Sequence, residues 1–303
     1  MRFFTVSVLA ASTALVPFMQ APGVAADVRA AHTAVSPVRT SVITVSHDGI
    51  TAPPAVAEGA TSFRVEATDP DGAFLGLVRL RPGVSLQRYL ADLERAYDES
   101  DRAAALAGAR AVERDVVMHG GAAVLPGHPV TFTPRLRPGT YHLIDFKDVG
   151  APGLADKVRT LRVLARPGAP APASAPTKAG AHIAQVQTAQ GPRFRAPGVL
   201  RAGDPIAVSN RSRQFNEAIF MPVREGTTRA QVGAFFSALE RGEQAPYPFA
   251  GGPVGMVPLS PGRTTVLAPG LKPGTYALVT WVTDYRTGRM HAAQGMHEIV
   301  TVR

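Results

Sequence analysis

Residues 136–141, Leu-Arg-Pro-Gly-Thr-Tyr, recur at residues 271–276 as Leu-Lys-Pro-Gly-Thr-Tyr. The Pro-Gly pair favours a tight turn, and the residues on either side of it predict short strands. Each copy therefore predicts two strands joined by the same turn. A single match of this length can arise by chance, so its meaning depends on the residues that flank it.

Four further matches flank the repeat, and all five follow the same order along the chain. They pair residues 52–53 with 196–197, 58–59 with 202–203, 81–83 with 224–226 and 120–121 with 251–252. Five ordered matches indicate an internal duplication. The first copy is longer because it carries extra residues between its helical stretch and Gly120.

Both halves consist mainly of short apolar runs separated by turn signals, which indicates antiparallel β-sandwiches. The predicted strands are 62–67, 74–80, 131–134, 141–146 and 161–164, then 205–209, 218–223, 264–268, 276–282 and 299–302. Helical spacing predicts one helix around Leu90 and another around Phe236, and residues 101–117 predict an additional helix. We expect a mainly β fold of two tandem sandwiches, each with a helical insertion. The tyrosine of each repeat is expected to return its hydroxyl to the backbone of its own turn.

Residues 1–26 predict a secretory signal peptide. Met1-Arg2 supplies a positive charge, residues 3–18 form an apolar run, and Val24-Ala25-Ala26 offers the small residues of a cleavage site. We therefore expect a secreted or extracytoplasmic protein, with an uncleaved N-terminal anchor as the alternative. No later stretch is apolar enough to span a bilayer once the signal is removed. The absence of cysteine fits a bacterial envelope better than a eukaryotic secretory route.

Residues 166–193 contain alternating prolines and then a polar stretch, and we interpret them as a Pro/Ala-rich linker. The predicted organisation is a signal peptide at 1–26, a first sandwich at 27–165, this linker, and a second sandwich at 194–303.

Composition and charge exclude several classes of protein. The 29 glycines and 27 prolines argue against a helical bundle, and the lack of cysteine removes disulfides, thiolate metal sites and cysteine nucleophiles. Of the net charge of +9, the predicted linker contributes +3 and the second half +5, since residues 194–303 hold 12 basic and 7 acidic side chains. Because the arginines are scattered singly, no nucleic-acid partner is expected. Anionic envelope polymers and a protein partner remain open as partners.

The second half resembles the cupredoxin-like (plastocyanin-like) domains of secreted bacterial proteins. The resemblance covers most of residues 194–303 and, more faintly, residues 49–165. It implies a cupredoxin-like fold for both sandwiches. The residues that carry it are Phe194-Arg195-Ala196-Pro197, Ala202-Gly203, Asn210, Glu217-Ala218, the repeat at 271–276 and the late loop His291-Ala292-Ala293-Gln294-Gly295-Met296.

The resemblance also implies a metal site that these residues do not supply. A copper-binding cupredoxin uses two histidines, a cysteine thiolate and a weakly bound methionine. The position expected for the first histidine holds Phe215-Asn216 in the second half and Gly72-Ala73 in the first. The cysteine position holds Thr280 and Asp145, and the second histidine position holds Thr283 and Asp148. We therefore expect both halves to lack the type 1 copper ligands, and we expect no cofactor.

An alternative copper site, not of type 1, is suggested by one loop. Met290, His291, Met296 and His297 are the densest group of imidazole and thioether side chains in the chain, and such ligands suit copper. Neighbouring residues on a strand point to opposite faces, so these four side chains converge only if the segment is a loop.

No catalytic motif stands out, and the sequence therefore predicts that the protein is not an enzyme. A Gly-x-Ser-x-Gly elbow, a His-Glu-x-x-His pair and a phosphate-binding glycine loop are all missing. The expected function is an exported, non-catalytic binding or structural module of the cell envelope or extracellular space, with an unknown ligand. Copper binding at the His/Met loop is the alternative, and an unrecognised secreted hydrolase is the third hypothesis.

Overall fold

The computed structural model describes residues 40–166 and 179–303. The predicted signal peptide and the proline-rich part of the predicted linker lie outside these residues. Within the described ranges, no helix is both long enough and apolar enough to cross a membrane.

The described part of the first half contains eleven strands and three α-helices. The strands are β1 (Thr40–Ser46), β2 (Gly49–Thr51), β3 (Ala55–Ala57), β4 (Gly59–Ala60), β5 (Ser62–Ala67), β6 (Ala73–Leu80), β7 (Val116–Val124), β8 (Val130–Thr133), β9 (Arg135–Leu136), β10 (Gly139–Asp145) and β11 (Arg159–Leu164). The helices are α1 (Leu86–Ala96), α2 (Arg102–Asp115) and α3 (Leu154–Lys157).

The described part of the second half contains nine strands and one α-helix. The strands are β12 (Ala181–Thr188), β13 (Gly191–Arg195), β14 (Val199–Leu200), β15 (Ile206–Arg211), β16 (Asn216–Pro222), β17 (Val254–Leu259), β18 (Thr264–Ala268), β19 (Gly274–Val279) and β20 (His297–Val302). The helix is α4 (Arg229–Glu240), which begins with a capping box formed by Thr228 and Gln231.

Two large sheets run through both halves of the chain. Sheet A has eight strands in the order β13-β12-β15-β18-β8-β5-β1-β2, and sheet B has ten in the order β14-β20-β19-β16-β17-β7-β6-β10-β11-β3. The halves meet at antiparallel central pairs, β8 with β18 in sheet A and β7 with β17 in sheet B. Outward from these pairs the strand order is the same in both halves. This mirrored strand order is the pattern expected of an internal duplication. The duplication itself stays a prediction.

Most neighbouring strands are antiparallel, but four pairs toward the edges are parallel. These are β1 with β5, β12 with β15, β3 with β11 and β14 with β20. The mainly β class predicted from the sequence is confirmed, and the sheets are mixed rather than purely antiparallel. Each half contributes one sandwich, and the two sandwiches are joined edge to edge.

The main hydrophobic core lies between sheets A and B and draws residues from both halves. Phe63 and Phe132 of sheet A pack with their ring centroids 5.3 Å apart, and Phe220 and Leu278 of sheet B belong to the same cluster. A second core covers the other face of sheet B, where Leu93 of α1, Val112 of α2 and Phe236 of α4 meet the sheet. The molecule therefore has three layers, with the helices on sheet B only.

The tyrosine of each repeat makes the predicted return to its own turn. The Tyr141 hydroxyl donates to the carbonyl oxygen of Arg137 at 3.0 Å, and the Tyr276 hydroxyl donates to that of Lys272 at 2.9 Å. The turns are thereby held against sheet B at equivalent positions in the two halves.

The predicted linker is wrong in its second part, because Ala181–Thr188 and Gly191–Arg195 form strands β12 and β13. These strands pair with each other, and β12 also pairs with β15. The sequence did not predict these strands, because β12 carries polar residues among its buried positions and so lacks an apolar run. Gln185, for example, is fully buried, and its side-chain amide donates to the Glu217 carbonyl oxygen at 2.7 Å.

Candidate functional site

The His/Met segment lies in the long connection between β19 and β20, and His291 anchors it to the start of β16. The His291 side chain is 3% exposed, and its Nδ1 lies 2.7 Å from Oδ1 of Asn216. The amide nitrogen of Asn216 donates to the Ser212 hydroxyl, which fixes its oxygen as the acceptor for His291. His291 Nδ1 therefore carries the proton, and burial lowers the pKa of His291 to about 4.

A buried polar network extends this anchor. The Ser212 hydroxyl donates to Oδ1 of Asn210 at 2.6 Å, and the Gln214 amide nitrogen donates to Oδ1 of Asp284 at 2.7 Å. The backbone nitrogen of Tyr285 in turn donates to Oε1 of Gln214 at 3.1 Å. The turn between β15 and β16 thus holds the 284–291 loop through side chains that are themselves buried.

The four candidate copper ligands do not share one environment. Met296 belongs to the core between the two sheets, whereas Met290 packs against the core under the helices. Nδ1 of His297 lies 2.9 Å from the Ala292 carbonyl oxygen, and its ring packs so closely on Gly233 of α4 that a Cβ there would lie 2.9 Å from Nε2. A copper site formed by all four stays a prediction that these contacts do not favour.

The expected type 1 positions lack suitable donors. Thr280 is fully buried, and its hydroxyl accepts a hydrogen bond from the backbone nitrogen of Val282 at 3.3 Å. Asp145 accepts one from the backbone nitrogen of Phe74 at 2.8 Å. Neither residue supplies the soft thiolate that type 1 copper needs, so the residues present do not fit that metal centre. No group of three or more His, Asp or Glu side chains suited to a metal occurs in residues 40–166 and 179–303.

Helices from both halves hold the same loop. Arg102 and Arg110 of α2 donate to the carbonyl oxygens of Gly288 and Tyr285, each at 2.8 Å. From the other side, the Glu240 carboxylate of α4 accepts a hydrogen bond from the backbone nitrogen of Met290 at 2.8 Å. The helical insertion of the first half therefore covers the loop end of the second half.

Two carboxyl groups beside this region are shifted toward neutral pH. Burial raises the pKa of Glu113 and of Glu217 to about 7. Glu217 accepts a hydrogen bond from the backbone nitrogen of Trp281 at 2.9 Å, which offsets only part of that rise. Strongly shifted groups cluster at functional sites, but they also occur in structural networks.

Replacing Glu217 by glutamine is expected to change how stability depends on pH. In the folded protein its pKa is about 7, against an ordinary 4.5, so its contribution is full below pH 4.5 and is lost as pH rises through 7. Between pH 4.5 and 8, urea unfolding should show the Glu217→Gln variant gaining about 2–3 kcal/mol relative to the unchanged protein.

Measuring this difference removes the opposing effect of the buried histidines, which the two proteins share. The exposed Glu225 provides the control, because Glu225→Gln should follow the unchanged protein at every pH. Parallel stability curves for Glu217→Gln and the unchanged protein would show that Glu217 is not held protonated.

A second cluster, which we call the arginine corner, consists of Arg79, Arg81, Arg137 and Arg263. Arg79 lies near the end of β6, Arg137 lies in the repeat turn, and Arg263 precedes β18. Burial, followed by the charges of Arg137, Arg79 and Arg81, lowers the pKa of Arg263. No carboxylate is among the charges that act most strongly on it.

The arginine corner has few partners within the described residues. Arg79 donates to the Pro138 carbonyl oxygen at 3.2 Å, and its guanidinium carbon lies 5.5 Å from the centre of the Tyr141 ring. In the described part of the chain, the guanidinium groups of Arg81, Arg137 and Arg263 make neither an ion pair nor a side-chain hydrogen bond. Four like charges gathered without counter-charges repel one another.

His119 of β7 lies beside this corner. Its side chain is 5% exposed, its ring centroid is 5.1 Å from that of Tyr141, and no described residue is a hydrogen-bond partner of its Nε2. Burial, together with the charges of Arg263 and Arg79, lowers the pKa of His119 to about 3. The imidazole is therefore neutral at neutral pH, with a buried polar atom left over.

The equivalent corner of the second half keeps a basic side chain at only two of the four arginine positions. Lys272 and Arg224 correspond to Arg137 and Arg81 in the matched repeats. The strand registers place Pro222 opposite Tyr276, as Arg79 lies near Tyr141, and the turn Pro126-Gly127-His128 corresponds to Pro261-Gly262-Arg263. The concentration of charge is therefore a property of one corner and not of the repeat.

No family model and no curated protein matches the sequence. Solved structures that do match include the copper-containing nitrite reductase of Thermus scotoductus SA-01, which is 14% identical with a TM-score of 0.23 over 88% of this chain and 61% of that one. The blue copper oxidase of Nitrosomonas europaea is 13% identical with a TM-score of 0.22, over 87% and 85% of the two chains. Rusticyanin from Thiobacillus ferrooxidans is 18% identical with a TM-score of 0.24, over 40% and 76%.

These neighbours are cupredoxin-like copper proteins, the class that the sequence resembles, and this chain spans less than two thirds of the nitrite reductase. At such TM-scores they carry no inference about its ligand. They do include enzymes, the nitrite reductase and the oxidase among them. The prediction from the missing motifs that the protein is not an enzyme is therefore contradicted, although the fold alone is no proof of catalysis.

Proposed function

We propose that this protein is an exported binding protein that holds an anionic polymer of the cell envelope at the arginine corner. The observation that carries the proposal is that Arg79, Arg81 and Arg137 lie close enough to act on Arg263, while no carboxylate is among the charges that act most strongly on it. Like charges held together repel one another, and a bound anion would offset that repulsion. Guanidinium groups bind oxyanions in bidentate fashion.

The shape of the corner suits a chain better than a small enclosed ligand. Arg81 and Arg137 are exposed, whereas Arg79 and Arg263 are half-buried. An extended polymer can therefore lie across the exposed pair while one of its charged groups approaches the deeper pair. Attraction between fixed charges of this kind weakens with salt.

Calorimetry with the full mature protein at low salt tests the proposal. The probes are sodium polyphosphate and dextran sulfate, with neutral dextran as the uncharged control. We expect saturable binding of both anionic polymers, none of dextran, and a loss of affinity of about tenfold in Arg263→Ala. Arg224→Ala, at the equivalent corner of the second half, should bind as the unchanged protein does.

Two results would overturn the proposal. One is the absence of binding to either anionic polymer. The other is binding that Arg263→Ala and Arg224→Ala weaken equally, since this would indicate diffuse attraction to a basic surface. Preferential binding to vesicles of phosphatidylglycerol, with no binding to the polymers, would replace the polymer by a lipid surface and count against the proposal as well.

Copper binding by His291 is the second candidate function. It is supported by a buried, neutral imidazole whose Nδ1 is fixed by Asn216, which leaves Nε2 as the nitrogen with a lone pair. Titration with Cu(I) and Cu(II) should show one equivalent bound tightly and lost in His291→Ala, with His128→Ala as the control. Unchanged copper affinity in His291→Ala would refute it.

A further inference from the structure

Building on the proposed function, we infer that the arginine corner recognises one tetrahedral oxyanion, a phosphate or sulfate group. This group lies between Arg79 and Arg263 and accepts a hydrogen bond from Nε2 of His119. The assignment gives the polymer a specific seat, so binding depends on an uncharged side chain as well as on charge.

Nε2 of His119 is a buried polar atom without a hydrogen-bond partner among the described residues. A buried nitrogen without a hydrogen-bond partner carries its full desolvation cost, and proteins rarely leave such atoms without a reason. Nε2 of His119 is in this state, and the ring lies beside Tyr141 within the influence of the Arg263 and Arg79 charges. An oxyanion is an acceptor that would satisfy it.

Two of the proposed donors, Arg79 and His119, lie against the ring of Tyr141. Arg79 and His119 both contact its ring, at 5.5 Å and 5.1 Å from the ring centre. The Tyr141 hydroxyl is bonded to the backbone of Arg137, so the ring is a fixed platform. Donors on a fixed platform need less ordering when a ligand arrives.

The directions from which the donors come favour a tetrahedral anion over a planar carboxylate. A single guanidinium fork satisfies both oxygens of a carboxylate in one plane. Donors from Arg79, Arg263 and His119 come from three separate strands or turns and call for acceptors pointing in different directions. A tetrahedral oxyanion offers these, and a carboxylate does not.

Access to His119 depends on Arg263. The histidine is buried, so the oxyanion reaches Nε2 only when the Arg263 side chain moves outward. Within the described residues the Arg263 guanidinium makes no hydrogen bond that would oppose this movement. The backbone of its turn is held separately, because the backbone nitrogen of Asn210 donates to the Arg263 carbonyl oxygen at 2.9 Å.

The test uses inorganic phosphate and sulfate with the full mature protein. We expect saturable binding of one equivalent, weakened about tenfold by His119→Leu and partly restored by His119→Gln, whose amide can donate. His128→Leu, at the equivalent corner, should bind as the unchanged protein does. Because His119→Leu removes an unpartnered buried nitrogen, its melting temperature should be equal or higher, whereas a structural role for His119 would lower it.

A second measurement needs no variant. The nitrogen resonances of the His119 ring should shift along a saturable curve as phosphate is added, while those of His128 stay in place. Polymer binding that depends on Arg263, without any His119 shift and without an effect of His119→Leu, would overturn this inference and leave the proposed function standing. If the unchanged protein did not bind the polymers, both the proposed function and this inference would be overturned. Binding of phosphate only at very high concentrations, such as those used for crystallisation, would indicate an adventitious ion only and would overturn this inference.

Discussion

Replacing Gly121 by alanine is expected to lower the free energy of unfolding by about 3–5 kcal/mol. Gly121 lies on central strand β7 with φ +155, a conformation that side chains rarely adopt. An added Cβ would collide with the carbonyl oxygen of Leu75 on β6 and would lie 2.8 Å from Cγ2 of Val257 on β17. Backbone on one side and a packed core on the other leave it no room to move.

Gly127→Ala is the matched control for this variant. Gly127 also has a positive φ, +72, but an added Cβ there meets nothing within 4 Å. Its substitution should therefore cost only the conformational strain, about 1 kcal/mol. Equal losses for the two variants in urea unfolding would show that the close approach of β6, β7 and β17 does not limit stability.

The same device occurs at Gly255 in the second half. Its φ is +154, and a Cβ there would collide with the carbonyl oxygen of Ala218 on β16. Each glycine faces a strand whose register shifts, between Gly76 and Val78 in β6 and between Asn216 and Ala218 in β16. The sequence match between residues 120–121 and 251–252 indicated this region. It did not align Gly121 with Gly255, the glycine that plays the same role in the structure.

The sequence predicted the fold class and most strands because their signals are local. Turn residues and apolar runs located β5, β6, β10 and β18 to within a few residues. Central strand β7 was missed because Gly120, Gly121 and two alanines have low β-propensity. Small residues are used there because β6 and β17 approach so closely, which only the assembled sheet reveals.

The candidate site was less predictable than the fold. The four arginines of the arginine corner are spread through the sequence, so the sequence predicted only scattered single charges. They come together because β7 and β17 pair, which places the turn after β17 beside the end of β6. The His/Met loop was recognisable in the sequence as a local cluster, but Met296 packs in the core between the sheets and Met290 against the core on the other face of sheet B.

Separating the two halves is expected to abolish folding of each. The chain ranges 40–166 and 179–303 would each leave two central strands as open edges. These are the nine-residue β7 with the shorter β8 in one case, and the six-residue β17 with the shorter β18 in the other. Open edges of this length pair with other chains and aggregate. The core between the sheets is also shared, so Phe132 and Leu267, among others, would lose packing partners.

The measurement is expression of each half alone and of both together. Each half alone should aggregate or lack a cooperative unfolding transition, and the two together should recover a complex with the unfolding transition of the intact chain. A monomeric half that unfolds cooperatively would contradict this expectation and show that each predicted sandwich folds on its own.

The outcome bears directly on the arginine corner, because three of its residues come from the first half and Arg263 from the second. If the halves fold only together, the corner exists only in the joined molecule, and a single half should bind no phosphate even where it stays in solution. Recovery of phosphate binding on mixing the halves, in step with the unfolding transition, is therefore the result that the shared sheets require.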